Sequence, residues 1–227
     1  MNFLKVKDSY KFAAKVQDMM GKSLCELLKI HRLKEFDRVF EFGCGTGEFS
    51  QKLQKNIIFK DYVRNDILDY KSEFEVEIFD MNCIPKAFFE GQKFDLIASN
   101  ATLQWLKNDI FTNLHTLLKK DGILLLSSFG EENLKEIKSL TGFSLPYKSL
   151  KEHRNLLKNF EILELKEELN QLKFESALEA FRHLKLSGVN SLGRFYLGKK
   201  TLLKMQENFN NSLTYHSIYI LCQKRIK

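Results

Sequence analysis

A glycine-rich turn directly after a short apolar stretch constrains the fold of this chain more than any other feature. The segment "VFEFGCGTGEFS", residues 39–50, places Gly43, Gly45 and Gly47 at every second position. Glycine weakens regular elements, so three glycines in one turn indicate an unusual backbone path or a close approach to a ligand. In an open parallel sheet, the turn after the first strand lies at the edge where ligands bind. The sequence therefore predicts a ligand-binding turn.

Strand-like and helix-like segments alternate along the chain. Apolar runs predict strands over residues 38–42, 57–63, 76–79, 94–99, 123–127, 160–165 and 213–224. Helical spacing predicts helices over 8–31, 47–55, 109–119, 131–140, 150–157, 174–186 and 201–209. The dipeptide "DG" at Asp121–Gly122 predicts a turn. The alternation predicts an α/β fold with a mostly parallel, Rossmann-like sheet.

Composition limits the class of protein. The chain has 227 residues, of which 44% are hydrophobic, which suits one domain with a substantial core. No apolar run is long enough to cross a membrane, and the N-terminal residues lack the apolar stretch of a signal peptide. The four cysteines form no CxxC pair, and the histidines show no metal-ligand spacing. We expect a reduced, cytoplasmic protein with no metal site.

Positive charge is concentrated at the C-terminal end. The formal net charge is +7, but residues 182–227 contain nine Lys or Arg and one acid, Glu207. The preceding 181 residues are therefore close to neutral. Such asymmetry favours an anionic partner.

Three carboxylates follow predicted strands beside the glycine turn. Glu41 directly precedes the turn, where it would repel a pyrophosphate and suit an ammonium group. Asp66 follows the second strand, a position at which this architecture holds ribose hydroxyls, and Asp61 is the alternative. Asp80 follows the third strand. Strand ends of a parallel sheet meet at one edge, so these acids are expected close together.

The motifs in this order resemble those of class I S-adenosylmethionine-dependent methyltransferases. They are "EFGCGTG", Asp66, "FDMNCIP", "FDLIASNATLQWL" and "LKKDGILLLSSF". The resemblance implies a last strand antiparallel to the others and a small helical cap after strand five. It also implies S-adenosylmethionine as cofactor, with the glycine turn and Glu41 at its methionine part and Asp66 at the ribose. Asp80 and Met81 would flank the adenine, and Asn100 would lie under the reactive end.

A narrower resemblance covers nearly the whole chain. The blocks "YKFAAKVQDMM", "SNATLQWL", "FRHLKLSGVNSL" and "LTYHSIYIL" are similar to malonyl-[acyl-carrier-protein] O-methyltransferases of biotin synthesis. The implied reaction methylates the free carboxylate of a malonyl thioester. The implied partner is an acidic acyl carrier protein, docked by the basic 182–227 segment.

This resemblance also suggests site residues. Arg182 is the first choice for the substrate carboxylate, ahead of Arg194, while Tyr10 and Trp105 would close and wall the reaction site. The expected cofactor-binding residues are Tyr10, Gln17, Glu41, Phe42, Gly43, Cys44, Gly45, Gly47, Asp66, Ile67, Asp80, Met81 and Asn100.

The expected organisation is one domain over 1–227. Its parts would be a lid helix at 1–35, a cofactor-binding core at 36–130, a cap at 131–212 and a final strand at 213–227. Two other functions stay open from the sequence: methylation of another small acid or quinone precursor, and a cofactor-binding assembly factor that acts on a protein. Methylation of a nucleic acid fits the basic composition but is not expected, because "SNAT" and no NPPY-type tetrapeptide follows the fourth predicted strand and no catalytic Cys motif is present. The expected partners include neither a nucleic acid nor a membrane.

Overall fold

The computed structural model describes residues 15–71, 73–186 and 197–225. Its strands are β1 Glu35–Phe42, β2 Ile58–Asp66, β3 Glu77–Ile78, β4 Phe94–Ser99, β5 Leu118–Phe129, β6 Phe160–Lys173 and β7 Ser212–Lys224. These seven strands form one sheet in the order β3-β2-β1-β4-β5-β7-β6. The first five pair in parallel, and β7 runs antiparallel to both β5 and β6. The predicted Rossmann-like sheet with an antiparallel last strand is confirmed.

Helices cover the sheet between the strands. They are α1 Lys15–Ile30, α2 Glu48–Gln54, α3 Lys86–Gly91, α4 Ile110–Leu117, α5 Lys135–Thr141, α6 Leu150–Leu156, α7 Ala177–Leu186 and α8 Lys199–Phe209. Helix α6 begins with a capping box, in which the side chains of Ser149 and Glu152 satisfy each other's backbone N–H groups. Within the described ranges, no helix is both long and apolar enough to cross a membrane.

Alternating residues of the central strands build two hydrophobic clusters, one on each face of the sheet. Leu125 of β5 belongs to the cluster that contains α1, whereas its neighbours Leu124 and Leu126 belong to the cluster that contains α4. Successive side chains of a strand point to opposite faces, so a continuous apolar run is buried on both sides. The run "ILLLS" was predicted to be such a strand, and all of its residues are buried.

Two sequence-based boundaries differ markedly from the structure. The turn predicted at Asp121–Gly122 is wrong, because both residues lie inside β5. The pairing with β4 shifts there, from Phe94 opposite Leu118 to Leu96 opposite Ile123. Asp121 takes a φ of 60° in this irregularity, a conformation in which Asp is one of the better tolerated residues.

The second difference is the length of β6. The sequence predicted a strand over 160–165, but β6 continues to Lys173 as the edge strand beside β7. The range expected to form a cap therefore also contributes 14 residues to the sheet. Its outer half alternates between exposed and half-buried residues and lacks a continuous apolar run, which is why the sequence signal ends early.

The directions of the strands determine at which edge of the sheet a ligand would bind. The carboxyl ends of β1, β2, β4 and β5 meet the beginning of β7 there, because Phe129 at the end of β5 pairs with Ser217. Ligands of open α/β sheets bind outside this edge. A cavity lies there.

Candidate active site

The cavity has a volume of about 500 Å³, within the range of small-molecule sites. It extends from the glycine turn after β1, across β4, to β5 and β7. The cavity has two ends, each named after the residues that line it. The glycine-turn end is formed by Gly43, Cys44, Gly45, Asp66 and Asp80, and the aromatic end by Phe129, Asn133, Leu145, Tyr147 and Tyr215.

The glycine turn has a backbone path that other residues rarely take. Gly43 has a φ of +67° and Gly45 a φ of +56°. A Cβ atom on Gly43 would stand 2.2 Å from Thr102 Oγ1, so the turn and the segment after β4 are in direct contact. A Cβ on Gly45 would meet nothing within 4 Å, which leaves that backbone open to the cavity. The turn can thus present its main chain to a ligand.

Asp66, the last residue of β2, is fixed against this turn. Its Oδ2 accepts a hydrogen bond from Gly45 N at 2.8 Å, and its Oδ1 accepts one from Leu68 N at 3.1 Å. Burial raises the pKa of Asp66, and the backbone donors oppose that shift. The alternative, Asp61, accepts a hydrogen bond from Arg38 Nε at 2.8 Å and is not among the cavity-lining residues. The geometry therefore favours Asp66 over Asp61 as the ligand-facing acid.

Glu41 lies in the core behind the turn. It is 1% exposed and accepts hydrogen bonds from Ser50 Oγ at 2.6 Å and from the Tyr62 hydroxyl at 2.5 Å. Burial raises its pKa to about 6, although these donors and Arg64 oppose the shift. Glu41 is not among the cavity-lining residues, so it supports the turn from inside.

Asn100 joins three elements over the middle of the cavity. Its Nδ2 donates to the backbone oxygen of Gln17 on α1 at 2.9 Å, and its Oδ1 accepts from Ser127 Oγ of β5 at 2.7 Å. Ser127 Oγ in turn accepts from Ala101 N at 2.9 Å. This network fixes the beginning of the first helix across the strand ends.

Asp80 and Met81 form the wall beyond β3. Asp80 caps a short 3₁₀ turn, accepting hydrogen bonds at Oδ1 from Asn82 N at 2.8 Å and Asn82 Nδ2 at 3.1 Å. Met81 is 4% exposed and belongs to the hydrophobic core beside the cavity. The wall therefore offers an acid next to an apolar surface.

The aromatic end is built from residues far apart in the sequence. The ring centroid of Phe129 lies 6.4 Å from that of Tyr147 and 6.3 Å from that of Tyr215. The Tyr215 hydroxyl lies 2.9 Å from Nε2 of His183 on α7. No pattern in the sequence placed these residues together, since each belongs to a different element.

Charge is distributed unevenly between the two ends. The cavity wall includes the acids Asp18 and Glu48 in addition to Asp66 and Asp80. Among the described residues Lys52 is the one cation on the wall, and its Nζ lies 2.8 Å from Asp18 Oδ1. The five residues of the aromatic end carry no formal charge.

Comparison with known proteins identifies the family. A family model described as a methyltransferase domain matches residues 12–176. A malonyl-[acyl-carrier protein] O-methyltransferase from Calditerrivibrio nitroreducens is 34% identical, over 98% of this chain and 95% of its own. Further relatives with the same name include those of Bacteroides thetaiotaomicron and Haemophilus influenzae, at 32% and 31% identity. The chain belongs to the malonyl-[acyl-carrier protein] O-methyltransferase family.

Solved structures support the fold of this methyltransferase. The YcgJ protein from Bacillus subtilis aligns with a TM-score of 0.66 at 14% identity, covering 91% of this chain and 99% of that one. A Burkholderia thailandensis 1,6-didemethyltoxoflavin-N1-methyltransferase, solved with S-adenosylhomocysteine, aligns with a TM-score of 0.55 at 13% identity, covering 96% and 85%. At these identities the likeness concerns the fold alone.

Most of the residues predicted for this methyltransferase lie together. The predicted residues on the cavity wall are Gln17, Gly43, Cys44, Gly45, Asp66, Ile67, Asp80, Met81, Asn100 and Trp105. Glu41, Phe42 and Gly47 are not on it: Phe42 is fully buried in the core, and Phe74 lies over Gly47. Tyr10 and Arg194 lie outside the described residues.

Arg182 does not line the cavity. It is exposed on α7, whose neighbouring Phe181 and Leu184 are buried in the core. The helix thus turns its apolar face towards the sheet and leaves Arg182 on the outside. Arg182 was predicted to bind the substrate carboxylate, but its position does not place it at the cavity.

Proposed function

We propose that this chain transfers a methyl group from S-adenosylmethionine to the free carboxylate of a malonyl group carried on acyl carrier protein. The product is the malonyl methyl ester that begins pimeloyl and biotin synthesis. The observation that carries this proposal is 34% identity across 98% of the chain to a relative of that name. A cytoplasmic location, expected from the sequence, is part of the proposal.

The glycine-turn end fits the cofactor. The open backbone at Gly45 gives room for a close approach, and Asp66 and Asp80 supply carboxylate oxygens for hydroxyl and amine donors. The apolar contact of Met81 suits a flat ring. Four acids on the wall also suit a cationic ligand. When bound there, S-adenosylmethionine supplies an electrophilic methyl group.

The remaining task of the protein is alignment. A malonyl carboxylate is ionised near pH 7, so the reaction requires no general base. The chain must bring this carboxylate to a fixed position and exclude water, which accounts for much of the acceleration in such reactions. The network of Asn100, Gln17 and Ser127 holds α1 across the middle of the cavity, where such a closure is needed.

A basic surface beside the aromatic end suits an acidic carrier protein. Helix α8 exposes Lys199, Lys200 and Lys204, and no ion pair involves these three within the described part of the chain. Helix α7 contacts α8 and exposes Arg182 on the same half of the molecule. Since His183 of α7 contacts Tyr215, a carrier protein on this surface would stand next to the aromatic end.

Charge reversal tests the docking surface. We expect Lys204→Glu, and more strongly the double change of Lys199 and Lys200 to Glu, to raise the KM for malonyl-acyl carrier protein in a salt-dependent way. Lys120→Glu is the matched control, because Lys120 is exposed at the opposite edge of the sheet, near the beginning of β5. An unchanged KM in Lys204→Glu and in the double variant, or an equal rise in Lys120→Glu, would reject this surface.

The reaction itself is tested by transfer of label. The purified protein is incubated with methyl-labelled S-adenosylmethionine and malonyl-acyl carrier protein, malonyl-CoA or free malonate in parallel. The proposal predicts a base-labile methyl ester on the carrier protein. If the protein binds the cofactor but transfers label to no malonyl compound, the proposal is wrong. Label on free malonate alone would point to a small-acid methyltransferase instead.

A further inference from the structure

The aromatic end contains two phenols that stand in front of buried polar groups. Tyr147 and Tyr215 line the cavity, whereas His183 stands behind Tyr215 and is not among the lining residues. Asn133 is 2% exposed and stands next to Tyr147. Buried polar groups behind two cavity-lining phenols are expected if the phenol hydroxyls bind a ligand inside the cavity.

The orientation of Asn133 leaves the Tyr147 hydrogen available. Asn133 Oδ1 accepts a hydrogen bond from the backbone N–H of His216 at 3.3 Å. With its oxygen directed at His216, Asn133 has its amide nitrogen left to donate, and its interaction with Tyr147 lowers the pKa of that phenol against the larger effect of burial. A phenol that accepts from Asn133 keeps its own O–H to donate.

Tyr215 is also placed to donate its hydroxyl hydrogen to a ligand. Its hydroxyl oxygen and His183 Nε2 are 2.9 Å apart. Burial lowers the pKa of His183, so the ring is neutral near pH 7 and carries one N–H. If Nε2 holds that hydrogen, His183 donates to Tyr215 and the phenolic hydrogen is directed elsewhere. An anionic ligand in the cavity would select this tautomer because it needs a donor.

Charge decides which end of the cavity an anion takes. The glycine-turn end has Asp66 and Asp80 on its wall, and Lys52 is already paired with Asp18. In the part of the chain that the structure describes, the wall of the aromatic end has phenols and the Asn133 amide and no carboxylate. Glu136 stands behind this end, where Thr214 donates to it from both its N–H and its hydroxyl. A carboxylate therefore meets less repulsion and more donors at the aromatic end.

We propose that Tyr215 and Tyr147 bind the substrate carboxylate through their hydroxyls, and that His183 positions Tyr215 by donating to its oxygen. This inference rests on the proposed function and names its carboxylate site. Neutral donors suit a nucleophile, since they orient a carboxylate without neutralising its charge as a bidentate arginine does. Tyr215 and Tyr147 are thus substrate-contacting residues, and His183 is a positioning residue.

The test measures methyl-ester formation on malonyl-acyl carrier protein, with separate determination of cofactor affinity by calorimetry. We expect Tyr215→Phe to lower kcat/KM roughly 10- to 100-fold, mainly through a higher KM for the malonyl substrate, because a charged group loses a hydrogen bond. Cofactor affinity is expected to stay within about twofold of the wild type. Tyr219→Phe is the matched control. It removes the hydroxyl of a buried tyrosine on the same strand, and Tyr219 does not line the cavity.

His183 variants separate positioning from structural support. We expect His183→Leu to weaken activity in the same direction as Tyr215→Phe. We expect His183→Gln, which keeps an N–H near the Nε2 position, to recover part of it. Because His183 acts through the Tyr215 hydroxyl, His183→Leu should cause no further loss when added to Tyr215→Phe.

The outcomes distinguish the two proposals. A wild-type protein that binds the cofactor and methylates no malonyl thioester overturns the proposed function and this inference together. An active wild type with Tyr215→Phe unchanged in KM and kcat overturns the inference alone. Additive losses in the double variant, with no recovery in His183→Gln, overturn the role of His183.

Discussion

The two ends of the cavity are built in different ways. The glycine-turn end is formed by residues at or just after the ends of three neighbouring parallel strands, and backbone geometry dominates it. There, Gly43 and Gly45 supply the turn, and Asp66 is bonded to Gly45 N at 2.8 Å. The aromatic end is formed by side chains from β5, β7 and the segments between them, and the contact between Tyr215 and His183 spans 32 residues of sequence.

This difference has a functional meaning. Under the proposed function, the cofactor would occupy the contiguous turn, whose geometry allows little variation. The malonyl group would occupy the aromatic end, whose side chains can vary without disturbing the sheet. The following predictions test whether the two ends act separately, from the largest expected effect to the smallest.

The largest effect is expected at Gly43. In Gly43→Ala, the added Cβ would stand 2.2 Å from Thr102 Oγ1, and the φ of +67° would be strained in addition. We expect a loss of about 3 kcal/mol or more in cofactor binding, which is over 100-fold in Kd. Calorimetric titration with S-adenosylmethionine measures it.

Gly142 provides the matched control for this change. It has a φ of +76° at the end of α5, with open space around its Cβ position, and does not line the cavity. Gly142→Ala should lower the free energy of unfolding by about 1 kcal/mol and leave cofactor affinity unchanged. Equal losses of cofactor affinity in Gly43→Ala and Gly142→Ala would mean that general backbone strain, and not the geometry of the glycine turn, lowers the affinity.

The next effect concerns the acid at the end of β2. Asp66→Asn keeps the size of the side chain and removes its charge, so cofactor affinity should fall roughly 10- to 100-fold. Asp61→Asn should leave affinity unchanged and cost under about 1 kcal/mol of stability, because its ion pair with Arg38 is partly exposed. The reverse pattern in the titrations would assign the cofactor contact to Asp61.

A pH effect is expected from Glu41. Its pKa is raised from 4.5 to about 6, so the folded protein holds this proton more tightly than the unfolded chain. Stability is therefore lost as pH rises through this interval, by about 2 kcal/mol. Glu41→Gln should remove that loss, and urea unfolding at pH 4 and pH 7 measures it.

The difference in stability between the wild type and Glu41→Gln isolates the effect of the Glu41 charge. Burial lowers the pKa of His153 to about 4, which makes stability fall as pH drops from 6.5 towards 4. That opposite effect is the same in the wild type and in Glu41→Gln, so it cancels in their difference. A difference that stays constant between the two pH values would contradict the buried position of the Glu41 charge.

The smallest effect is expected at Tyr147. Tyr147→Phe removes one hydrogen-bond donor to the carboxylate, but it also frees the Asn133 amide to donate in its place, so the KM for malonyl-acyl carrier protein should rise only roughly 3- to 10-fold. Cofactor affinity should not change. Steady-state rates with the carrier substrate varied at saturating cofactor measure this, and a rise confined to the cofactor KM would mean that the two ends are not separate.

The sequence predicted most of the fold and one end of the cavity for a physical reason. Strand β4 was predicted with its observed bounds because its apolar residues form a short run that only Asp95 interrupts. The glycine turn and Asp66 were found because they adjoin strands, and parallel strand ends meet at one edge. Local signals are sufficient where the site itself is local.

The aromatic end gave no such signal. Phe129, Tyr147 and Tyr215 each look like ordinary apolar residues of their segments. The antiparallel pairing of β7 with β5 brings Phe129 and Tyr215 together, and the segment before α6 adds Tyr147. Arg182 was chosen instead because substrate carboxylates are commonly bound by arginine, but the apolar face of α7 turns it outward. Helix orientation depends on packing that sequence spacing alone did not give.

One measurement tests the separation of the two ends most directly. It is the pair of KM values, for S-adenosylmethionine and for malonyl-acyl carrier protein, in Asp66→Asn and in Tyr215→Phe. We predict that Asp66→Asn raises the KM for the cofactor alone and Tyr215→Phe the KM for the carrier substrate alone. If both variants raise both KM values in the same proportion, the cavity acts as one undivided site and this account of it is wrong.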